Sequence, residues 1–164
     1  MDSLTRLSST LGQTLLKHQY MLTLAESCTG GMASSIITEI AGSSEWFDCG
    51  FVTYSNVAKQ KMLGVSATTI EQYGAVSEET ALEMALGAIK QSQANIAGSI
   101  TGIAGPSGGT TSKPVGTVCF AWILQGKDAI TTTHHFTHDR QGNRQQATLT
   151  LFKGLLDLIQ NSQA

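Results

Sequence analysis

The order of local signals along this chain predicts an α/β fold: a three-layer α/β/α sandwich on a mixed sheet of about five strands. Two observations carry that expectation. Short apolar runs of strand length are interleaved with segments whose apolar residues recur every three or four positions, the spacing of one helix face. The last two apolar runs, GTVCFAWIL and AITTTHHF, are joined by a short turn at Gln125, Gly126, Lys127 and Asp128 and read as paired strands.

Each element has its own signal. Leu4, Leu7, Leu11 and Leu15 mark a first amphipathic helix, and YMLTLA follows as a strand. The turn ESCTGG leads into the helix MASSIITEI, and CGFVTY reads as the second strand. Asn56 is placed to cap the short helix VAKQKML, which Gly64 ends. Ser77 is a good N-cap for a longer helix, with Glu78 and Glu79 set favourably against its dipole. Ala81, Met84, Ala85, Ala88 and Ile89 form that helix's apolar stripe. IAGSI is a buried strand, followed by the glycine-rich run TGIAGPSGGTTSKPVG. A last helix begins near Arg140 and carries Leu149, Phe152, Leu156 and Ile159. With no internal repeat, low-complexity tract or linker, residues 1–164 read as one domain.

Composition narrows the function classes. A formal net charge of -2 gives no electrostatic case for nucleic acid. No apolar run approaches the roughly 18 residues of a membrane span, and the N-terminus lacks the apolar core of a signal peptide. A cytoplasmic protein without membrane or nucleic-acid partners is expected. Three well-separated cysteines, with no C-x-x-C pair, argue against a disulfide framework or a zinc site. His134 and His138 would share a side of one strand but lie roughly 13 Å apart at about 3.3 Å per residue, too far to chelate one ion. No metal is expected.

Four segments carry candidate chemistry. TLAESCTGGMASS is a strand, a tight turn and a helix, an arrangement that puts the turn where α/β folds bind ligands. Backbone N–H groups at the helix start can hold a phosphate or an oxyanion. Gly30 and Gly31 allow close approach, and Ser27, Cys28 and Thr29 offer nucleophiles or donors. The same string also suits an ordinary helix start capped by Thr29. TGIAGPSGGTTSKPVGT is neither a Walker A loop nor a dinucleotide fingerprint; it suits ligand binding or a mobile hairpin. In GFVTYSNVAKQK, Tyr54 sits at a strand end and Lys59 in the next helix; either acts as a base only if its pKa is lowered, and a solvated Lys59 is the bland alternative. Arg140 and Arg144 in HDRQGNRQQ share a helix face, suited to a phosphate or simply to solvent.

Taken together, AESCTGG, GFVTYSNVAK, TGIAGPSGGTTSKPVGTV and, more loosely, HDRQGNRQQA resemble the competence- and damage-inducible protein A (CinA) C-terminal domain family, in the family's order and over almost the whole chain. The final motif departs from the family by carrying His138 where close relatives often have a small residue. The resemblance implies an amidohydrolase that deamidates nicotinamide mononucleotide in the pyridine nucleotide cycle. It also implies no cofactor, a homodimer or higher homo-oligomer, and a stand-alone form of a domain that many relatives carry behind another.

Amide hydrolysis needs an activated nucleophile, donors for the tetrahedral oxyanion and an acid for the departing nitrogen. Ser27 is the expected nucleophile, with a neutral Lys59, aided by Tyr54, as the base. Backbone N–H groups around Thr29, Gly30 and Gly31 are the expected oxyanion donors. Arg140, Arg144, Thr101, Ser107 and Thr110 are the candidate phosphate ligands, and the loop at Gly102 and Gly105 could add a backbone nest. Lys113 has no assigned role. Cys28 is the rival nucleophile, since a thiol beside a helix N-terminus is expected to have a lowered pKa. A nucleotide- or phosphate-sensing domain that binds without chemistry is the competing class.

Overall fold

Five strands form one sheet in the order β2-β1-β3-β4-β5 in the computed structural model, which describes residues 2–163. The strands are β1 (Leu22–Glu26), β2 (Phe47–Val52), β3 (Ile96–Gly102), β4 (Thr117–Leu124) and β5 (Ile130–His135). β1 runs parallel to both β2 and β3, whereas β4 and β5 are antiparallel. The sheet is therefore mixed, as the sequence predicts. β1 leads to β2 on one side and β3 returns on the other, so the strand order reverses at β1. Open α/β sheets hold ligands outside the carboxyl ends of their strands at such a reversal.

Helices cover both faces. α1 (Ser3–His18), α2 (Met32–Thr38) and α6 (Arg140–Asn161) lie on one; α3 (Asn56–Leu63), α4 (Ala67–Tyr73) and α5 (Glu78–Lys90) lie on the other. The first interface is built of large side chains, among them Leu11, Leu15, Phe120, Leu151 and Phe152. The second is built of small ones: Ala81 and Ala85 of α5 meet Ala97 and Ala121 of the sheet. This brings α5 close to its neighbours. A Cβ on Gly87 would lie 1.9 Å from the Leu63 carbonyl oxygen at the end of α3.

Several boundaries differ from the sequence reading. α3 is capped by Ser55, whose Oγ accepts from the Ala58 N–H at 3.0 Å, one residue before the expected Asn56. β2 ends at Val52, so Tyr54 lies beyond the strand. β5 ends at His135, which leaves His138 outside it; His138 instead donates its N–H to Asn143 Oδ1 at 3.0 Å. α4 was not anticipated, because ATTIEQY has no apolar stripe and four of its seven residues, Thr68, Thr69, Ile70 and Tyr73, are weak helix formers. It forms behind the Ser66 cap, and Glu83 of α5 accepts from the Ser66 N–H at 2.8 Å.

Gly87→Ala tests the close α3–α5 approach. Alanine favours an exposed helix interior by about 1 kcal/mol, yet overpacking against backbone typically costs about 1–3 kcal/mol. The melting temperature should fall by several degrees. An unchanged or higher value would show that the two helices separate without penalty.

Candidate active site

The reversal point holds Ser27, the residue after β1. Its N–H donates to the Ile100 carbonyl of β3 at 3.0 Å, and the Thr53 N–H donates to the Glu26 carbonyl at 2.9 Å. Sheet pairing on both sides therefore holds the backbone that carries the Ser27 hydroxyl. The turn that follows needs left-handed backbone at Gly30 (φ 60°) and Gly31 (φ 101°) to enter α2.

Glu26, which the sequence reading passed over, closes this turn. Fully buried, its carboxylate accepts from Thr29 Oγ1 (2.7 Å), the Ala33 N–H (3.0 Å), the Ser34 N–H (2.9 Å) and Ser34 Oγ (2.7 Å). It replaces the capping side chain that α2 lacks, since the N-cap residue is Gly31 and not Thr29. The available signal was an acidic residue ending a strand just before a glycine turn into a helix with no capping side chain. The oxyanion donors need the matching correction. The Gly30 N–H is committed to the Ser27 carbonyl at 3.0 Å and the Cys28 N–H faces its own thiol, whereas the N–H groups of Thr29 and Gly31 have no hydrogen-bond partner among the described residues.

Lys59 reaches the same point from α3. It is 2% exposed, and its Nζ donates to Ser27 Oγ at 3.0 Å and to the Tyr54 carbonyl at 3.2 Å. Burial lowers its pKa from the ordinary lysine value, opposed only by the weaker influence of Cys28. Tyr54 thus reaches Lys59 through its backbone. Its phenol is 62% exposed and instead accepts from Arg140 Nη2 at 3.2 Å. The expected reactivity of Cys28 is overturned: burial of the thiol outweighs everything near it and pushes its pKa up to about 12.

Ser27, Lys59, Thr101, Gly102, Ala75, Val76 and Arg140 share a cleft of about 220 Å³. Arg140 and Ala104 also border a wider groove of about 700 Å³ beside Pro106, Val115 and the start of α6. Arg140 stands between the two, its Nη1 on the Gly105 carbonyl at 2.7 Å. Arg144 lines the groove, but its guanidinium is tied to the turn after β1, donating to the Cys28 carbonyl at 3.1 Å and the Thr29 carbonyl at 2.9 Å. Thr101 donates its hydroxyl to the Ala75 carbonyl at 2.7 Å. Ser107 and Thr110 are exposed and line neither space, and Thr110 Oγ1 accepts from the Lys113 N–H at 3.1 Å. Asn143, also missed, is 1% exposed and donates to the Ala104 carbonyl at 3.0 Å, fixing α6 to the second glycine loop. Among the described residues no cluster of three or more His, Cys, Asp or Glu could hold a metal.

A serine hydroxyl and a buried lysine amine thus stand 3.0 Å apart at the strand reversal of a three-layer α/β sandwich. The chain belongs to the CinA C-terminal domain family, whose model matches residues 4–159. It is 49% identical to the nicotinamide-nucleotide amidohydrolase PncC of Enterobacter agglomerans, over 96% of this chain and 97% of that one. It is 52% identical to the protein of the same name from Escherichia coli K12, over 90% of this chain and 89% of the relative. Its fold matches the crystal structure of the competence/damage inducible protein CihA from Agrobacterium tumefaciens with a TM-score of 0.94 at 40% identity, covering 96% of each chain. No helix of the described residues is long and apolar enough to cross a membrane.

Glu26→Gln sets an amide against donors that the carboxylate accepts. Losing a hydrogen bond to a charged group costs about 1.5–3 kcal/mol, so the melting temperature should drop by several degrees. If thermal unfolding is unchanged, the carboxylate does not hold the turn.

Proposed function

We propose that this protein hydrolyses the carboxamide of nicotinamide mononucleotide, giving nicotinic acid mononucleotide and ammonia, with Ser27 as nucleophile and Lys59 as base. One observation carries the mechanism: the buried Lys59 amine lies 3.0 Å from Ser27 Oγ, with no carboxylate among the influences on its proton. The names of the relatives support the substrate.

Neutral Lys59 takes the Ser27 hydroxyl proton as Oγ bonds to the amide carbon, and the carbonyl electrons move onto oxygen. The N–H groups of Thr29 and Gly31 are the uncommitted donors nearest this point of the chain. As the carbonyl re-forms and the C–N bond breaks, the Lys59 ammonium returns its proton to the departing nitrogen, which leaves as ammonia. Water then attacks the seryl ester with Lys59 again the base, releasing the acid and restoring Ser27. The wider groove beyond Arg140 receives the phosphoribosyl end, with Arg140 the guanidinium shared by both spaces.

The purified protein, without added metal, should release ammonia and nicotinic acid mononucleotide in equal amounts. Neither product, with the nucleotide still raising the melting temperature, would make the chain a sensor. Ser27→Ala should reduce turnover on the order of 10⁴-fold or more, whereas Cys28→Ala should keep most of it. Activity surviving in Ser27→Ala would remove the serine from the reaction.

Lys59→Met separates catalysis from stability. General-base loss typically costs about 10²–10⁴-fold, whereas replacing a buried amine that has no paired anion by a hydrophobic side chain of similar volume removes a desolvation cost. Turnover should collapse while the melting temperature holds or rises. A variant that melts early, yet turns over at the normal rate, would make Lys59 structural.

A further inference from the structure

Three consecutive carbonyls, from the last residue of α4 into the turn before α5, are each bound by a side chain. The Tyr73 carbonyl accepts from Lys113 Nζ at 2.6 Å. The Gly74 carbonyl accepts from Ser77 Oγ at 2.9 Å and Thr80 Oγ1 at 2.8 Å. The Ala75 carbonyl accepts from Thr101 Oγ1 at 2.7 Å. Gly74 has φ 88°, and a Cβ there would stand 3.0 Å from Lys113 Nζ, so the turn is also matched to the ammonium beneath it. Loops are ordinarily mobile; this one is tied to β3, to α5 and to the second glycine loop. Its next residues, Ala75 and Val76, line the cleft that holds Ser27 and Lys59.

We infer that Ala75 and Val76 form a preset apolar wall for the face of the substrate's pyridine ring, and that Lys113 and Thr101, which hold the turn carrying them, are its positioning residues. The inference rests on the proposed reaction. The carboxamide carbon is bonded directly to the ring, so a carbon within reach of Ser27 Oγ brings the ring into the same small cleft. The phosphate is at the far end of the nucleotide. Lys113 is not among the residues that line either the cleft or the wider groove, and its ammonium is on the Tyr73 carbonyl. It therefore acts on the ring end of the substrate, through the wall, and not on the phosphate. Holding the wall in place before binding removes an ordering cost that the substrate would otherwise carry, so its loss weakens ground state and transition state alike.

The test compares nicotinamide mononucleotide with nicotinamide riboside, which has the same ring and ribose but no phosphate. Wild type, Lys113→Met and Thr101→Val are assayed for kcat and KM on the nucleotide, and by calorimetric Kd on both compounds. Each variant should raise KM for the nucleotide by about tenfold, the scale of one lost hydrogen bond to a charged or buried group, with kcat nearly unchanged. The Kd for the riboside should rise by the same factor. A loss confined to the phosphorylated compound would make Lys113 a phosphate ligand and overturn the inference. Unchanged KM and Kd in both variants would overturn it as well. If wild type itself fails to turn over the nucleotide, the proposed reaction falls and the inference with it; normal wild-type turnover with unaffected variants removes the inference alone.

Discussion

The contact between Lys59 and Ser27 is the constraint around which this end of the molecule is organised. A lysine side chain 2% exposed has given up its hydration and gained only a hydroxyl and one peptide carbonyl. Removing water from an ammonium without a paired anion is costly, and the group responds by favouring its neutral form. In the proposed reaction the amine is useful as a base for the same reason that it is uncomfortable as a cation. The cost is tolerable because the rest of the domain is conventionally packed, with large apolar side chains on one face of the sheet and alanines on the other.

Much of the polar chemistry around this contact serves to hold backbone. Glu26 gathers the first donors of α2, Arg144 binds two carbonyls of the turn after Ser27, and Arg140 and Asn143 bind carbonyls of the second glycine loop. Loops made flexible by glycine become a fixed frame when side chains from distant elements satisfy their peptide groups. A nucleophile and its oxyanion donors need that fixity, because electrostatic stabilisation is effective only where the donors are already aimed.

The fold was legible in the sequence because it is written locally, whereas the grouping of Ser27, Tyr54 and Lys59 came from the family resemblance, since Lys59 taken alone reads as a solvated helix lysine. Strand length, helical spacing and the turn chemistry of ESCTGG need no knowledge of the tertiary structure. α4 was hidden because its stability comes from its cap and from Glu83 on another helix, not from its own pattern. The individual roles of the polar residues were harder to read. A sequence shows that Arg144, Thr101 and Lys113 can donate, but whether they face a ligand or a carbonyl of their own chain depends on distances set by the fold. Cys28 shows the same limit: a position beside a helix start suggests a low thiol pKa, yet its burial reverses the sign.

The claim that Lys59 works as a neutral base has a direct signature in the pH dependence of kcat/KM, which reports the ionisations of the free enzyme. Because burial lowers its pKa, the active unprotonated form gains population as pH rises, and it does so below the usual lysine range. The account predicts a rate that climbs with pH through one ionisation lying below that range and then levels. It also predicts that this limb vanishes in Lys59→Arg, whose guanidinium cannot lose its proton. A limb that persists unchanged in Lys59→Arg would contradict the account, because another group would then be taking the proton from Ser27.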